Sequence, residues 1–314
     1  MANYPWEKSY PPGVKWELDI PKKTLHQIFE ESCAQYGDRP FTDFLDKVMS
    51  FRDYREASDK AAAGFQKLGV KPGVNVGLYL PNTPHYIIAF FGVLKAGGKV
   101  VNYSPLDAAR ELEFKIGDSE TDILVTLDVT ALYPKMAAMQ GKTRLKKLVV
   151  GSIADYLPWP KSWLYPLAKK KEISSWPRDG WHMSFKDLLA NDGKFQSHPA
   201  PADLWDEVAV LQYTGGTTGL PKAAMLTHAN ITANAVQVAS WYDKATKGDE
   251  RFLAGDGLVI DHLAAEHRHH GFNAADLADR RGEIIFRQHR DIREFSRLDR
   301  AAFPFRPGVS ESNV

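Results

Sequence analysis

The residues best suited to chemistry lie in one short run, LQYTGGTTGLPKAAMLTHANI, at positions 211–231. It gathers Thr214, Gly215, Gly216, Thr217, Thr218, Gly219, Pro221 and Lys222. Three glycines let the backbone take positive φ and turn successive N–H groups toward an anion. Three threonine hydroxyls add donors without adding charge. Lys222 adds a mobile cation that can follow a phosphate or pyrophosphate. The pattern describes a loop that grips phosphates.

The spacing differs from the Walker-type loop, in which the lysine directly follows a glycine and a hydroxyl follows the lysine. Here Leu220 and Pro221 separate Gly219 from Lys222, and Ala223 comes next. A dinucleotide fingerprint is equally absent, since no G-x-G-x-x-G run opens a helix.

Such a loop needs rigid flanks. Residues 207–213 (EVAVLQY) read as a buried strand, and Thr227 or His228 can cap a helix reaching Tyr242. Upstream, helical and strand patterns alternate from 24 to 150. Helices are expected at 24–36, 50–68, 83–96, 108–119 and 131–139, with strands at 74–80, 99–102, 122–127 and 145–150. Strands separated by single helices predict βαβ units and a parallel sheet. The strand ending at Tyr213 is expected in a second sheet or at the rim of the first, and residues 151–205 are expected to break the alternation.

The segment 214–222 followed by Leu226, Thr227 and His228 resembles the AMP-binding signature of the adenylate-forming acyl-CoA synthetases. WEKSYPPGV (6–14), YLPNTPHYIIAFFGVLKAGGKVVNYSPL (79–106) and ARELEFKIGDSETDILVTL (109–127) are similar to bacterial long-chain fatty-acid–CoA ligases. The resemblance extends over residues 1–254. One departure is Ala223, where many members carry glycine.

The resemblance implies an α/β fold, the amino-terminal part of the family's large domain, with parallel sheets flanked by helices. It implies ATP, Mg2+ and coenzyme A as reaction partners and a fatty acid as substrate. In that chemistry the carboxylate attacks the α-phosphate of ATP, and the coenzyme A thiol then displaces AMP. Thr214, Gly215, Gly216, Thr217, Thr218, Gly219 and Lys222 match the family's phosphate loop and would hold the β- and γ-phosphates. The family's magnesium-binding Thr-Glu motif, adenine and ribose contacts, hinge and catalytic lysine have no counterpart here. No catalytic residue and no metal ligand is therefore assigned, and the chain is expected to be an incomplete form lacking the carboxy-terminal domain. An inactive form with residual nucleotide binding, or an aryl- or amino-acid-activating relative, are the alternatives.

Composition changes abruptly at Gly255. Residues 1–254 use 24 Lys and 7 Arg, whereas 255–314 use no Lys and 9 Arg. The tail also lacks Trp, Tyr, Thr, Met and Cys. It reads as frame-shifted or disordered, with a separate Arg-rich module as the competing reading. His267, His269 and His270 have no ordered Cys, Asp or Glu companions and read as a solvated cluster. Acidic residues interleave with the tail's arginines, and the whole chain carries a net charge of +1, which argues against nucleic-acid binding.

The single cysteine, Cys33, excludes an internal disulfide and fits a reducing compartment. With neither a leader pattern nor a spanning apolar run, the protein is expected to be cytoplasmic. One segment qualifies this. LPWPKSWLYPLAKKK, residues 157–171, opens on Leu157, carries Trp159, Trp163 and Tyr165, and closes on Lys169, Lys170 and Lys171. Aromatics beside lysines suit peripheral contact with a bilayer interface. The alternative is an exposed insertion whose aromatics tuck onto the domain.

Overall fold

The computed structural model describes Pro5, Ser9, Tyr10, Val14 and residues 17–199, 201–214, 221–242, 252–253 and 284–286. The histidine cluster at 267–270 and the tail's arginines lie outside the described residues.

Local signals start the first helices. In α1 (Leu25–Tyr36) the Thr24 hydroxyl accepts from the Gln27 N–H, and the Gln27 side chain accepts from the Thr24 N–H. Gly37 ends it at φ +37°. Ser50 and Asp53 make the same reciprocal box for α2 (Phe51–Lys67). Each such cap stabilises a helix by about 1 kcal/mol. Between them lies a hairpin that the pattern did not announce, β1 (Pro40–Phe44) and β2 (Lys47–Ser50). Its turn holds Leu45 and Asp46 at φ +53° and +72°, where glycine or asparagine is usual, so no turn signal was visible.

The expected alternation follows: β3 (Asn75–Leu78), α3 (Pro84–Lys95), β4 (Lys99–Asn102), α4 (Ala109–Asp118), β5 (Ile123–Leu127), α5 (Tyr133–Ala137) and β6 (Lys147–Gly151). Helix α3 packs against both α2 and the strands β3 and β4, so it has little exposed surface. Burying Ile88 and Val93 there contributes about 2 kcal/mol each. Cys33 is buried, and that burial pushes its thiol up to about 12, which leaves it unreactive.

Residues 151–205 do not interrupt the sheet, contrary to expectation. After α6 (Lys161–Ala168), strand β7 (His182–Ser184) pairs parallel with β6, and α7 (Phe185–Leu188) packs on both strands. At three residues, β7 is too short to carry a period of its own. The aromatics of 157–171 do not tuck in either: Trp159 and Trp163 are exposed, and Tyr165 is the aromatic that packs on the core.

Two strands complete the sheet, β8 (Val208–Thr214) and β9 (Lys222–Thr227), followed by α8 (His228–Trp241). The order is β7-β6-β5-β3-β4-β8-β9, parallel throughout except for the β8–β9 hairpin. Strand β8 thus joins the main sheet beside β4, one strand in from the edge, instead of starting a second sheet. Beyond sequence order, its apolar Val210 and Leu211 lie in register beside Val100 and Val101. A smaller sheet has the order β10-β11-β1-β2, with β10 (Phe252–Leu253) and β11 (Ile284–Phe286) running parallel to β1.

Candidate phosphate-binding site

The candidate phosphate loop is the connection of the β8–β9 hairpin. Thr214 closes one side and Lys222 the other, as register partners. The Thr214 hydroxyl donates to the Lys222 carbonyl at 3.3 Å, and both side chains are exposed. Gly215, Gly216, Thr217, Thr218 and Gly219 lie outside the described residues. Because β8 runs parallel to β4, the loop leaves from the carboxyl edge of the strands, where open parallel sheets bind their ligands.

Polar contacts hold β8 in this register. The Asn102 amide donates to Gln212 Oε1 at 2.9 Å, and the Tyr86 hydroxyl donates to Asn102 Oδ1 at 3.0 Å. Tyr213 stacks on Tyr103 with ring centres 6.3 Å apart. Its hydroxyl donates to Asp118 Oδ2 at 2.6 Å. Burial, reinforced by that carboxylate, pushes the Tyr213 hydroxyl well above the usual tyrosine range, so it stays protonated as a donor. Lys115 lies 5.4 Å from the Tyr213 ring centre and pairs with Asp107 at 2.7 Å.

Beneath the loop's departure point is a cavity of about 370 Å³, lined by Asp118, Ser119, Tyr213 and Lys222 with Leu211, Pro221, Ala223 and Met225. Lys222 is the cation at its mouth and makes no ion pair with another described residue. The cavity's described lining sets one ammonium, on Lys222, against one carboxylate, on Asp118, which already accepts from the Tyr213 hydroxyl. Among the described residues, no group of three or more His, Cys, Asp or Glu gathers to hold a metal ion.

The far side of the hairpin is also fixed. Thr227, not His228, caps α8, by accepting from the Asn230 N–H at 3.1 Å. His228 instead faces α1, where its Nδ1 accepts from the Leu25 N–H at 3.2 Å. Burial, with His26 nearby, lowers the His228 pKa to about 4, so the ring is a neutral acceptor. Motif reading overlooked this role, and it overlooked the Asp107–Lys115–Tyr213–Asp118 set. Those residues are charged or aromatic positions on separate elements, with no local spacing to join them.

Comparison with known proteins matches residues 29–257 to the family of AMP-binding enzymes. The chain is 38% identical over 263 residues to a long-chain-fatty-acid–CoA ligase of Bacillus subtilis, over 81% of this chain and 45% of the relative. A ligase of the same description from Escherichia coli O157:H7 is 36% identical over 76% of this chain and 42% of its own length. The chain thus spans less than half the length of these relatives. Among solved structures, a long-chain-fatty-acid-CoA ligase from Archaeoglobus fulgidus superposes with a TM-score of 0.60 at 23% identity, over 78% of this chain and 44% of its own. An anthranilate CoA ligase in complex with anthranoyl-AMP gives a TM-score of 0.60 at 20% identity, over 76% and 41%. At such identities the superpositions speak to the fold.

Proposed function

The chain belongs to the AMP-binding enzyme family, and from that premise we propose that it carries the phosphate-gripping part of an AMP-forming long-chain fatty-acid–CoA ligase. Thr214, Gly215, Gly216, Thr217, Thr218, Gly219 and Lys222 hold the β- and γ-phosphates of ATP and orient the departing pyrophosphate. Their work is electrostatic: oriented donors and one ammonium offset the charge gathered as a carboxylate approaches the α-phosphorus. Mg2+, when bound with the nucleotide, would offset phosphate charge, and no described residue is assigned to hold it. Coenzyme A takes part in the second half-reaction, where its thiol attacks the acyl-adenylate and AMP leaves. The substrate is a long-chain fatty acid, and a peripheral membrane contact through the 157–171 segment serves its delivery at the cytoplasmic face.

The observation that carries this reading is the pairing of Thr214 with Lys222 at the carboxyl edge of the sheet, which brings the two ends of the glycine-rich run together, with Lys222 lining the cavity beside Tyr213. A second reading, nucleotide binding without turnover, draws on the 45% coverage of the Bacillus subtilis relative. Two measurements separate them. Titration with a fluorescent ATP analogue reports binding by the chain itself, and loss of binding would remove both readings. Palmitate-dependent ATP–pyrophosphate exchange is expected near zero for this chain. It is expected to appear once the chain is joined to the carboxy-terminal half of the Bacillus subtilis relative. Exchange driven instead by aryl or amino acids would reassign the substrate.

A further inference from the structure

The surface around α6 exposes several large apolar side chains within one short stretch of chain. Trp159 is 85% exposed, Trp163 68% and Leu167 65%, and Leu164 adds to the same apolar surface. These three most exposed side chains fall four residues apart, and within the helix Trp163 and Leu167 share one side by that spacing. The helix is held from behind, where Tyr165 packs on the core. No residue of α6 is fully buried. Water therefore meets two indoles and two leucines that the fold could have turned inward.

Within residues 157–171 every charge is positive, and the neighbouring carboxylates Asp46 and Glu172 offset two of the four. Residues 157–171 hold Lys161, Lys169, Lys170 and Lys171 and no acidic residue. Lys161 pairs with Asp46, and Lys169 pairs with Glu172 at 2.5 Å. Lys170 and Lys171 are exposed and pair with no carboxylate among the described residues. Exposed indoles favour the headgroup layer, where an apolar ring and a polar N–H are both accommodated. Adjacent lysines then reach lipid phosphates, and the attraction depends on anionic lipid. A purely apolar protein partner would leave Lys170 and Lys171 without a counterpart.

We propose that α6 and the lysines that follow it are a docking surface for an anionic lipid bilayer, with Trp163 and Leu167 as the inserted pair and Lys170 and Lys171 as the phosphate contacts. The proposal deepens the membrane contact named above, but its test uses lipid alone, so it can fail while the ligase reading stands.

The test is co-sedimentation of the full chain with phosphatidylglycerol or phosphatidylcholine vesicles. The expected result is binding to phosphatidylglycerol about tenfold stronger than to phosphatidylcholine, weakened by added salt. Trp163→Ser with Leu167→Ser should abolish binding to both lipids without moving the melting temperature. Lys170→Glu with Lys171→Glu should remove only the preference for phosphatidylglycerol. Should the apolar variant melt differently, the charge variant decides alone, since its two side chains bear on no core residue. No binding by the parent chain, equal binding to the two lipids, or unchanged binding by both variants would overturn the proposal. So would a parent dimer, seen by sedimentation velocity, that Trp163→Ser with Leu167→Ser dissociates, because the surface would then belong to a second copy.

Discussion

The backbone N–H of Leu25 donates to Nδ1 of His228, joining residues 203 positions apart across 3.2 Å. This single bond ties α8, which follows the 214–222 run, to α1, the first described helix. It requires a neutral imidazole, and the buried setting supplies one. The adjacent His26 ring lies 5.9 Å away and is likewise lowered to about 4, by burial first and then by Lys95.

Acid should therefore loosen this contact. The folded pKa values of about 4 lie below the ordinary histidine value of 6.5, so the neutral rings contribute stability fully above pH 6.5. That contribution is lost as the pH falls from 6.5 toward 4, by roughly 2–3 kcal/mol for His228. Thermal melts between pH 8 and pH 4 should show the decline. His228→Asn keeps an acceptor but cannot titrate, and should flatten the acid limb.

Lys95 offers a second test. Its side chain is 2% exposed, contacts Glu30, and lies 2.7 Å from Asp59 and 2.8 Å from the Ser58 hydroxyl. Lys95→Ala would take its cation from Asp59 and leave Glu30 with Arg55 alone, around a void, at a cost of about 3 kcal/mol. Urea denaturation should show that loss, with the midpoint moving while the slope holds.

Gly64→Ala should destabilise although alanine is the better helix former. A Cβ at Gly64 would sit 2.2 Å from the Leu188 carbonyl oxygen. That carbonyl is pinned by the Asn191 amide, which also donates to the Lys60 carbonyl. The propensity gain of about 1 kcal/mol is outweighed, because a backbone atom on a second helix must move. A lowered melting temperature is the expected readout, and a raised one would contradict the packing described.

Lys222→Ala should separate binding from folding. The side chain is exposed and supports no core contact, so the melting temperature should stay within a degree or two. Affinity for the fluorescent ATP analogue should fall about tenfold or more, as expected for losing a charge-assisted phosphate contact. Lys222→Arg should restore part of it. Equal affinity in all three chains would move the phosphate site elsewhere.

Much of this fold is legible because its signals are local. Thr24 with Gln27, and Ser50 with Asp53, are boxes closed within one turn, and residues 99–102 form β4 as the pattern predicts. The hairpin at Leu45 and Asp46 escaped because leucine rarely takes positive φ and no glycine marks the turn. Strand β7 escaped because three residues carry no period. The exposure of Trp159 and Trp163 escaped because the same aromatic spacing suits an inward or an outward face, and only a neighbour such as Tyr156 or Trp176 packed on the core decides which positions remain for water.

The sequence alone determined the helix and strand alternation and the residue types of the 214–222 run on which the phosphate proposal rests, since both depend on residue type and spacing over a few turns of chain. It also located the change of composition at Gly255. Tertiary structure decided the strand order and the place of β8 beside β4. It also decided the neutral His26–His228 pair, the cavity shared by Asp118 and Lys222, and the outward face of α6. Those features rest on pairs such as Asn102 with Gln212, 110 residues apart. Over such distances, burial and hydrogen-bond satisfaction of the whole chain select the partner, and no local pattern records it.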